Sequence, residues 1–99
     1  MRLYISGPMA GLPDLNFPAF TEAAMLLDRA GHDVLNPARH GQGHEGGVPY
    51  YMRLAFLDVL DCEGIALLDG WQKSIGANVE KDMAHILGLP VRSIWRWLS

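Results

Sequence analysis

The chain has 99 residues, enough for one hydrophobic core but too few for two, so we expect a single domain over residues 1–99. Its composition, 49% hydrophobic and 19% charged, excludes an intrinsically disordered chain. The formal net charge of −3 argues against nucleic-acid binding. No apolar stretch reaches the roughly 18 residues of a membrane span. Small molecules are therefore the expected ligands, with neither nucleic acid nor membrane as a partner.

The cysteine content and the amino terminus bear on the cellular compartment. Cys62 is the single cysteine, which excludes an internal disulfide. The residues after Met1 do not form the long apolar segment of a secretory signal. From these two features we expect a cytoplasmic protein.

Taken in chain order, apolar runs and helical periodicity predict alternating strands and helices. A first strand at 3–5 is followed by a helix that Asn16 caps and Gly31 ends. A minimal strand at 34–35 leads into a glycine-rich segment, 36–49, that we expect to be a mobile loop. A helix from Tyr50 to about Leu60, a buried strand at 64–68, a helix from Ser74 to Leu87 and a strand at 90–95 complete the prediction.

This alternation indicates an α/β domain whose apolar strands pair in parallel and are covered on both faces. Ligands of such sheets bind at the carboxyl ends of the strands. In this chain those ends lie at 6–9, 36–37 and 69–74. We expect the functional site there.

Glu80 is the most informative single residue. On the predicted helix it shares a face with Gly76, Ala77, Met83 and Ala84, so its carboxylate points along the apolar side. An ionised group left in a core is costly, and a site would explain it. A glutamate near a helix start that tilts out to water is an equally good interpretation of the periodicity alone.

Two segments resemble a known family. Residues 4–11 read YISGPMAG and residues 74–80 read SIGANVE. Both resemble the nucleoside 2-deoxyribosyltransferase superfamily, and the opening S-G-P-M-x-G-L-P is most similar to a small subgroup of phage and bacterial proteins. The resemblance implies a flavodoxin-like (Rossmann-like) parallel sheet of about four strands in the order 2-1-3-4, with helices on both faces. The fifth strand of larger members has no counterpart in this chain.

The resemblance also implies a chemistry. In the family, the glutamate matching Glu80 attacks the anomeric carbon of a 2'-deoxynucleoside, and the tyrosine matching Tyr4 hydrogen-bonds that carboxylate. Water as the acceptor gives a hydrolase and a second nucleoside gives a transferase, with no cofactor and no metal in either case. Ser74 matches a phosphate-contacting serine of the monophosphate hydrolases, which implies a 5'-monophosphate on the substrate, although a serine there can equally be a plain helix cap. The expected substrate contacts are Ser6, Gly7, Pro8, Met9, Trp71, Ser74 and Gly76.

Several departures from the family favour a second interpretation, a catalytically weak or inactive module that binds a nucleoside or nucleotide. Ala55 stands where relatives carry a catalytic aspartate near the leaving base, and Pro8 replaces a phosphate-binding serine. Asp58 lies one turn beyond Ala55 and could partly substitute, but we expect it to be an exposed helical residue without a role.

The remaining candidates are less specific. His40, His44 and Glu45 could suggest a metal cluster, although a solvated loop is the more common outcome of such a sequence. Trp71 follows the third strand and could stack on a base opposite Met9, or simply cover the sheet edge. Trp95 and Trp97 would share one face of the last strand, which predicts a homodimer or higher homo-oligomer.

Overall fold

A computed structural model describes all of residues 1–99. Four strands alternate with four helices: β1 (Arg2–Ser6), α1 (Phe17–Arg29), β2 (Asp33–Leu35), α2 (Gly47–Leu60), β3 (Gly64–Leu67), α3 (Ile75–Ile86), β4 (Val91–Ser93) and α4 (Ile94–Leu98). The strands form one parallel sheet in the order β2-β1-β3-β4. The α/β fold and the strand order 2-1-3-4 expected from the sequence are confirmed. None of the helices combines the length and the apolar character needed to cross a bilayer.

The central strand β1 separates two hydrophobic layers because its side chains alternate between the faces of the sheet. Leu3 and Ile5 lie in a cluster with the buried residues of α1 and with Ile94 of α4. Tyr4 lies in the opposite cluster, with residues of α2 and α3. Tyr4 and Ser6 have the same parity along β1 and are 1% exposed, so two polar side chains are buried on the face that α2 and α3 cover.

The carboxyl-terminal segment differs from the sequence expectation. The last strand ends at Ser93, whose side chain accepts a hydrogen bond from the backbone N–H of Arg96 and so caps a short helix. Trp95 and Trp97 therefore lie on α4 and point in different directions. Trp95 is 57% exposed, whereas the indole N–H of Trp97 donates to the Ile65 carbonyl 2.8 Å away. The expected shared tryptophan face on a strand was wrong, because the serine cap overrides the β-propensity of these aromatic residues.

The segment 36–49 is more ordered than the expected mobile loop. A 3-10 turn occupies Pro37–His40, where the Asn36 side chain accepts from the Ala38 N–H. Helix α2 then begins at Gly47, three residues before the predicted start. Asn16, expected to cap α1, makes no capping bond and instead donates its side-chain amide to the Pro8 carbonyl at 3.0 Å. It therefore fixes the loop after β1 rather than the helix.

Gly7 allows the loop after β1 to pass close to the segment after β3. A Cβ added at Gly7 would lie 2.7 Å from the Leu68 Cβ, closer than two such carbons can approach. The Leu68 N–H donates to the Ser6 carbonyl at 2.8 Å, which keeps the two chain segments together just beyond the sheet. Glycine at this position thus brings together two of the three strand ends where we expected the site.

Candidate functional site

The Glu80 carboxylate is buried and held at both oxygens. Glu80 is 7% exposed on the inner face of α3, so of the two interpretations that the helical periodicity left open, the buried carboxylate is the one present. The Tyr4 hydroxyl donates to Oε2 at 2.8 Å, and the Ser6 hydroxyl donates to Oε1 at 2.6 Å. The Tyr4 bond is the one that the resemblance implies. The Ser6 bond is new, because Ser6 was expected to contact the substrate rather than the carboxylate.

The surroundings of Glu80 act on its protonation in opposite directions. Burial raises the pKa of the Glu80 carboxyl, and the charge of Asp58 adds to this, while the hydrogen bonds from Ser6 and Tyr4 lower it; the net result is a raised pKa. Burial and the neighbouring Glu80 charge raise the pKa of the Tyr4 hydroxyl well above its usual value. Tyr4 therefore remains a hydrogen-bond donor. The site contains a desolvated carboxylate with fixed orientation, as a nucleophile or a tightly held hydrogen-bond acceptor requires.

The start of α3 lies at the carboxyl edge of the sheet, as expected for Ser74 and Gly76. The Ser74 side chain accepts from the Ala77 N–H, so the plain cap is present, and its hydroxyl proton has no acceptor within the chain. Gly76 faces α2, since a Cβ there would lie 3.7 Å from the Met52 sulfur. The Asn78 side-chain amide donates to three carbonyls of the preceding turn, of which the bond to Ser74 is shortest at 2.8 Å. Asn78 thus fixes the segment that carries Ser74, a role that the sequence analysis missed.

The loop after β1 meets the same edge. Pro8 approaches Gly70, since a Cβ at Gly70 would lie 3.4 Å from the Pro8 Cγ. Trp71 packs against the core cluster of Tyr4, whereas Met9 packs against the cluster on the other face of the sheet. The two side chains thus pack on opposite faces of the sheet, and stacking of Trp71 on a base opposite Met9 stays a prediction. The Lys81 ammonium lies 5.4 Å from the centroid of the Trp71 ring.

Asp58 is buried and bound to cationic side chains, contrary to the expectation of an exposed residue. It is 8% exposed, and its two carboxylate oxygens accept from the Arg39 guanidinium at 2.7 and 2.9 Å. The ring nitrogen Nε2 of His40 lies 2.9 Å from Oδ2. Burial alone would raise the pKa of the Asp58 carboxyl, but the bonds from Arg39 and His40 outweigh it and lower the pKa. The expectation failed because helical spacing does not show that the 3-10 turn after β2 packs onto α2.

The other histidine and cysteine candidates form no metal site. No group of three or more His, Cys, Asp or Glu side chains is placed to hold a metal ion. His44 stacks on Tyr50 with ring centroids 3.5 Å apart, away from the Asp58 partners. Cys62 is buried, and burial raises the pKa of its thiol to about 12, so it is an inert core residue.

Ala55, the position of the family aspartate, is 4% exposed and packs in the cluster of Tyr4 and Val59. No acidic side chain replaces it at that point of the helix. The buried carboxylate that the resemblance implies is thus present, whereas the acid that it implies at position 55 is not.

Comparison with protein-family models shows to which family the chain belongs. The family model described as Domain of unknown function (DUF4406) matches residues 1–93, nearly the full length. The chain belongs to this family. No curated protein matches the sequence. The residues that match the family model include both β1 with its loop and α3 with Glu80, so the site described above lies entirely within the family's domain.

Proposed function

We propose that this DUF4406 protein cleaves the N-glycosidic bond of a 2'-deoxynucleoside or its 5'-monophosphate, with Glu80 as the nucleophile. The observation that carries the proposal is the buried Glu80 carboxylate with hydrogen bonds from Tyr4 and Ser6 at its two oxygens. A core carboxylate that serves only structure would be replaced at lower cost by an apolar side chain. The resemblance of residues 4–11 and 74–80 to nucleoside 2-deoxyribosyltransferases supports the same role.

The proposed reaction has two steps, as in retaining glycosidases. Glu80 attacks the anomeric carbon as the bond to the base breaks, which forms a glutamyl-sugar ester. Water or a second nucleoside then displaces Glu80. Tyr4 and Ser6 orient the carboxylate and hold its charge, while the hydroxyl proton of Ser74 and the free N–H groups at the start of α3 are placed to contact a sugar or phosphate oxygen.

A binding module is the second candidate, and one observation favours it. Ala55 is buried in the core, and the nearest acid on the same helix, Asp58, is bound to Arg39. A neutral base leaves poorly without a proton, so such a site would bind a nucleoside and turn it over slowly.

The test is release of free base, detected by chromatography, from a panel of ribonucleosides, deoxynucleosides and their 5'-monophosphates. We expect release by the wild type and none by Glu80→Ala. Glu80→Gln has nearly the same shape and should be equally inactive while it still binds the substrate. If all three proteins give the same background release while the wild type binds a nucleoside, the binding module replaces the enzyme.

A further inference from the structure

His40 is held by one ring nitrogen and free at the other. Its Nε2 lies 2.9 Å from the buried Asp58 carboxylate. Its Nδ1 has no hydrogen-bond partner in the chain. This atom is accessible to solvent, because the only buried side-chain nitrogen or oxygen that lacks a partner is in His32. A carboxylate that fixes one nitrogen of an imidazole and leaves the other free is an arrangement that proteins use for proton transfer.

The turn that carries His40 lies next to the strand whose side chains hold the proposed nucleophile. The 3-10 turn that carries His40 contacts β1, the strand of Tyr4 and Ser6. The charge of Asp58 acts on both the Tyr4 hydroxyl and the Glu80 carboxyl. Asp58 is also three residues beyond Ala55, about one helical turn away.

Asp58 itself is unsuited to donate a proton. Both of its oxygens accept from Arg39, and these bonds hold the carboxylate in its ionised form. Asp58 instead fixes the His40 ring, since its Oδ2 lies 2.9 Å from Nε2 of His40 while Arg39 also binds the carboxylate. Arg39 keeps Asp58 charged, and Asp58 orients His40.

We propose that His40 is the general acid that protonates the leaving base, in place of the carboxyl group absent at Ala55, and that Asp58 is its positioning residue. This inference rests on the proposed function. As the Glu80 oxygen bonds to the anomeric carbon, the glycosidic electron pair passes to the base nitrogen and the base takes the Nδ1 proton of His40. Neutral His40 then accepts a proton from the water that hydrolyses the ester, which releases the sugar and restores the starting state of both residues.

The experiment compares two leaving groups. 2'-Deoxyguanosine needs a proton on its base, whereas 7-methyl-2'-deoxyguanosine already carries a positive charge there and leaves as a neutral base. For His40→Gln we expect base release from the first substrate to fall by about 10²–10⁴-fold, the usual contribution of a general acid. Release from the methylated substrate, corrected for its spontaneous loss of base, should fall less than about tenfold, because it needs no acid.

Further variants separate this inference from the proposed function. Glu80→Ala should lose release from both substrates, since the nucleophile serves both. Asp58→Asn should show the same selective loss as His40→Gln, and dissolved imidazole should restore part of the activity of His40→Ala toward 2'-deoxyguanosine. His85→Gln, at an exposed histidine of α3, is the matched control and should change neither rate.

An equal loss on both substrates in His40→Gln, or no loss on either, would overturn the role of His40 while Glu80 keeps its own. If His40→Gln does not fold, failure of Asp58→Asn to discriminate between the substrates overturns it instead. Both substrates are supplied as nucleosides and as 5'-monophosphates. Absence of release by the wild type from all of these and from the whole panel above would refute the proposed function, and the role of His40 with it.

Discussion

Replacing Tyr4 with phenylalanine removes a single hydroxyl from the centre of the site. Tyr4 is 1% exposed, and its hydroxyl donates to Glu80 Oε2 at 2.8 Å. A hydrogen bond to a charged group contributes about 1.5–3 kcal/mol, so Tyr4→Phe should lower the free energy of unfolding by about that amount while Glu80 is ionised. Tyr50→Phe is the matched control. The Tyr50 hydroxyl makes no hydrogen bond within the chain, and the change should cost less than about 0.5 kcal/mol.

The cost of Tyr4→Phe should depend on pH in a direction that the structure fixes. The Tyr4 bond favours the ionised form of Glu80, so its loss raises the pKa of Glu80 further above its already raised value. At pH values above the pKa of Glu80 in the variant, the difference in unfolding free energy between wild type and variant therefore has its full value. It shrinks as the pH falls toward the pKa of Glu80 in the wild type, where both proteins bind a proton.

Urea denaturation of wild type, Tyr4→Phe and Tyr50→Phe across a pH series measures these differences directly. The same substitution in a Glu80→Gln background should have a smaller and pH-independent effect, because the charged partner is absent. A cost of Tyr4→Phe that does not change with pH, or that Tyr50→Phe reproduces, would refute the argument that the hydroxyl stabilises an ionised Glu80.

Three further changes test other parts of the structure. Asp58→Asn should lower the free energy of unfolding at neutral pH by about 1–3 kcal/mol, measured by urea denaturation. This is less than the loss of a partner costs in a fully buried ion pair, because the arginine partner of Asp58 is half exposed. Since the pKa of Asp58 is lowered in the folded protein, the difference is present above the ordinary carboxyl pKa and is lost as the pH falls through the lower folded value. Gly7→Ala should lower the melting temperature, at a cost of about 1–3 kcal/mol, because its Cβ would lie 2.7 Å from the Leu68 Cβ; an unchanged melting temperature would contradict this close approach. We also propose that two copies of the chain associate through α2, where Leu57 is 63% exposed and Leu60, one helical turn further, is 59% exposed. Light scattering should give a dimer mass for the wild type and for Trp95→Lys but a monomer mass for Leu57→Lys, and a wild-type monomer at tens of micromolar would refute self-association.

The sequence was sufficient for the strands because most of them contain a short apolar run and clear turn signals separate them. It also indicated that Glu80 lies on the apolar face of its helix, since the residues that surround it at helical spacing are small or apolar, but it left open whether the carboxylate is buried. These are local patterns, and a single sequence contains them completely. The strand order and the Tyr4 bond came instead from the resemblance, because pairing between distant residues leaves no periodic signal.

The rest of the site depends on contacts that no local pattern encodes. The burial of Asp58 was not predicted, because it requires the turn at 37–40 to fold back onto α2. The glycines at 41 and 43 had instead indicated a loop without regular structure in that segment. Trp95 and Trp97 were placed on a strand because aromatic residues favour strands, whereas Ser93 caps a helix at that point. An adjacent arginine and histidine, 19 and 18 residues before a helical aspartate, were the available signal for the Asp58 partners.

Covalent attachment of the sugar to Glu80 is the most direct consequence of the proposed mechanism. Mass spectrometry of the protein quenched in acid during turnover, followed by peptide mapping, measures it. With a 2'-fluorinated nucleoside as substrate, the electron-withdrawing fluorine slows hydrolysis of the ester and so favours its accumulation. We expect a mass increase of one sugar unit on the peptide that contains Glu80 in the wild type, and none in Glu80→Gln. Base release by the wild type without any adduct, or an adduct on a different residue, would contradict Glu80 as the nucleophile.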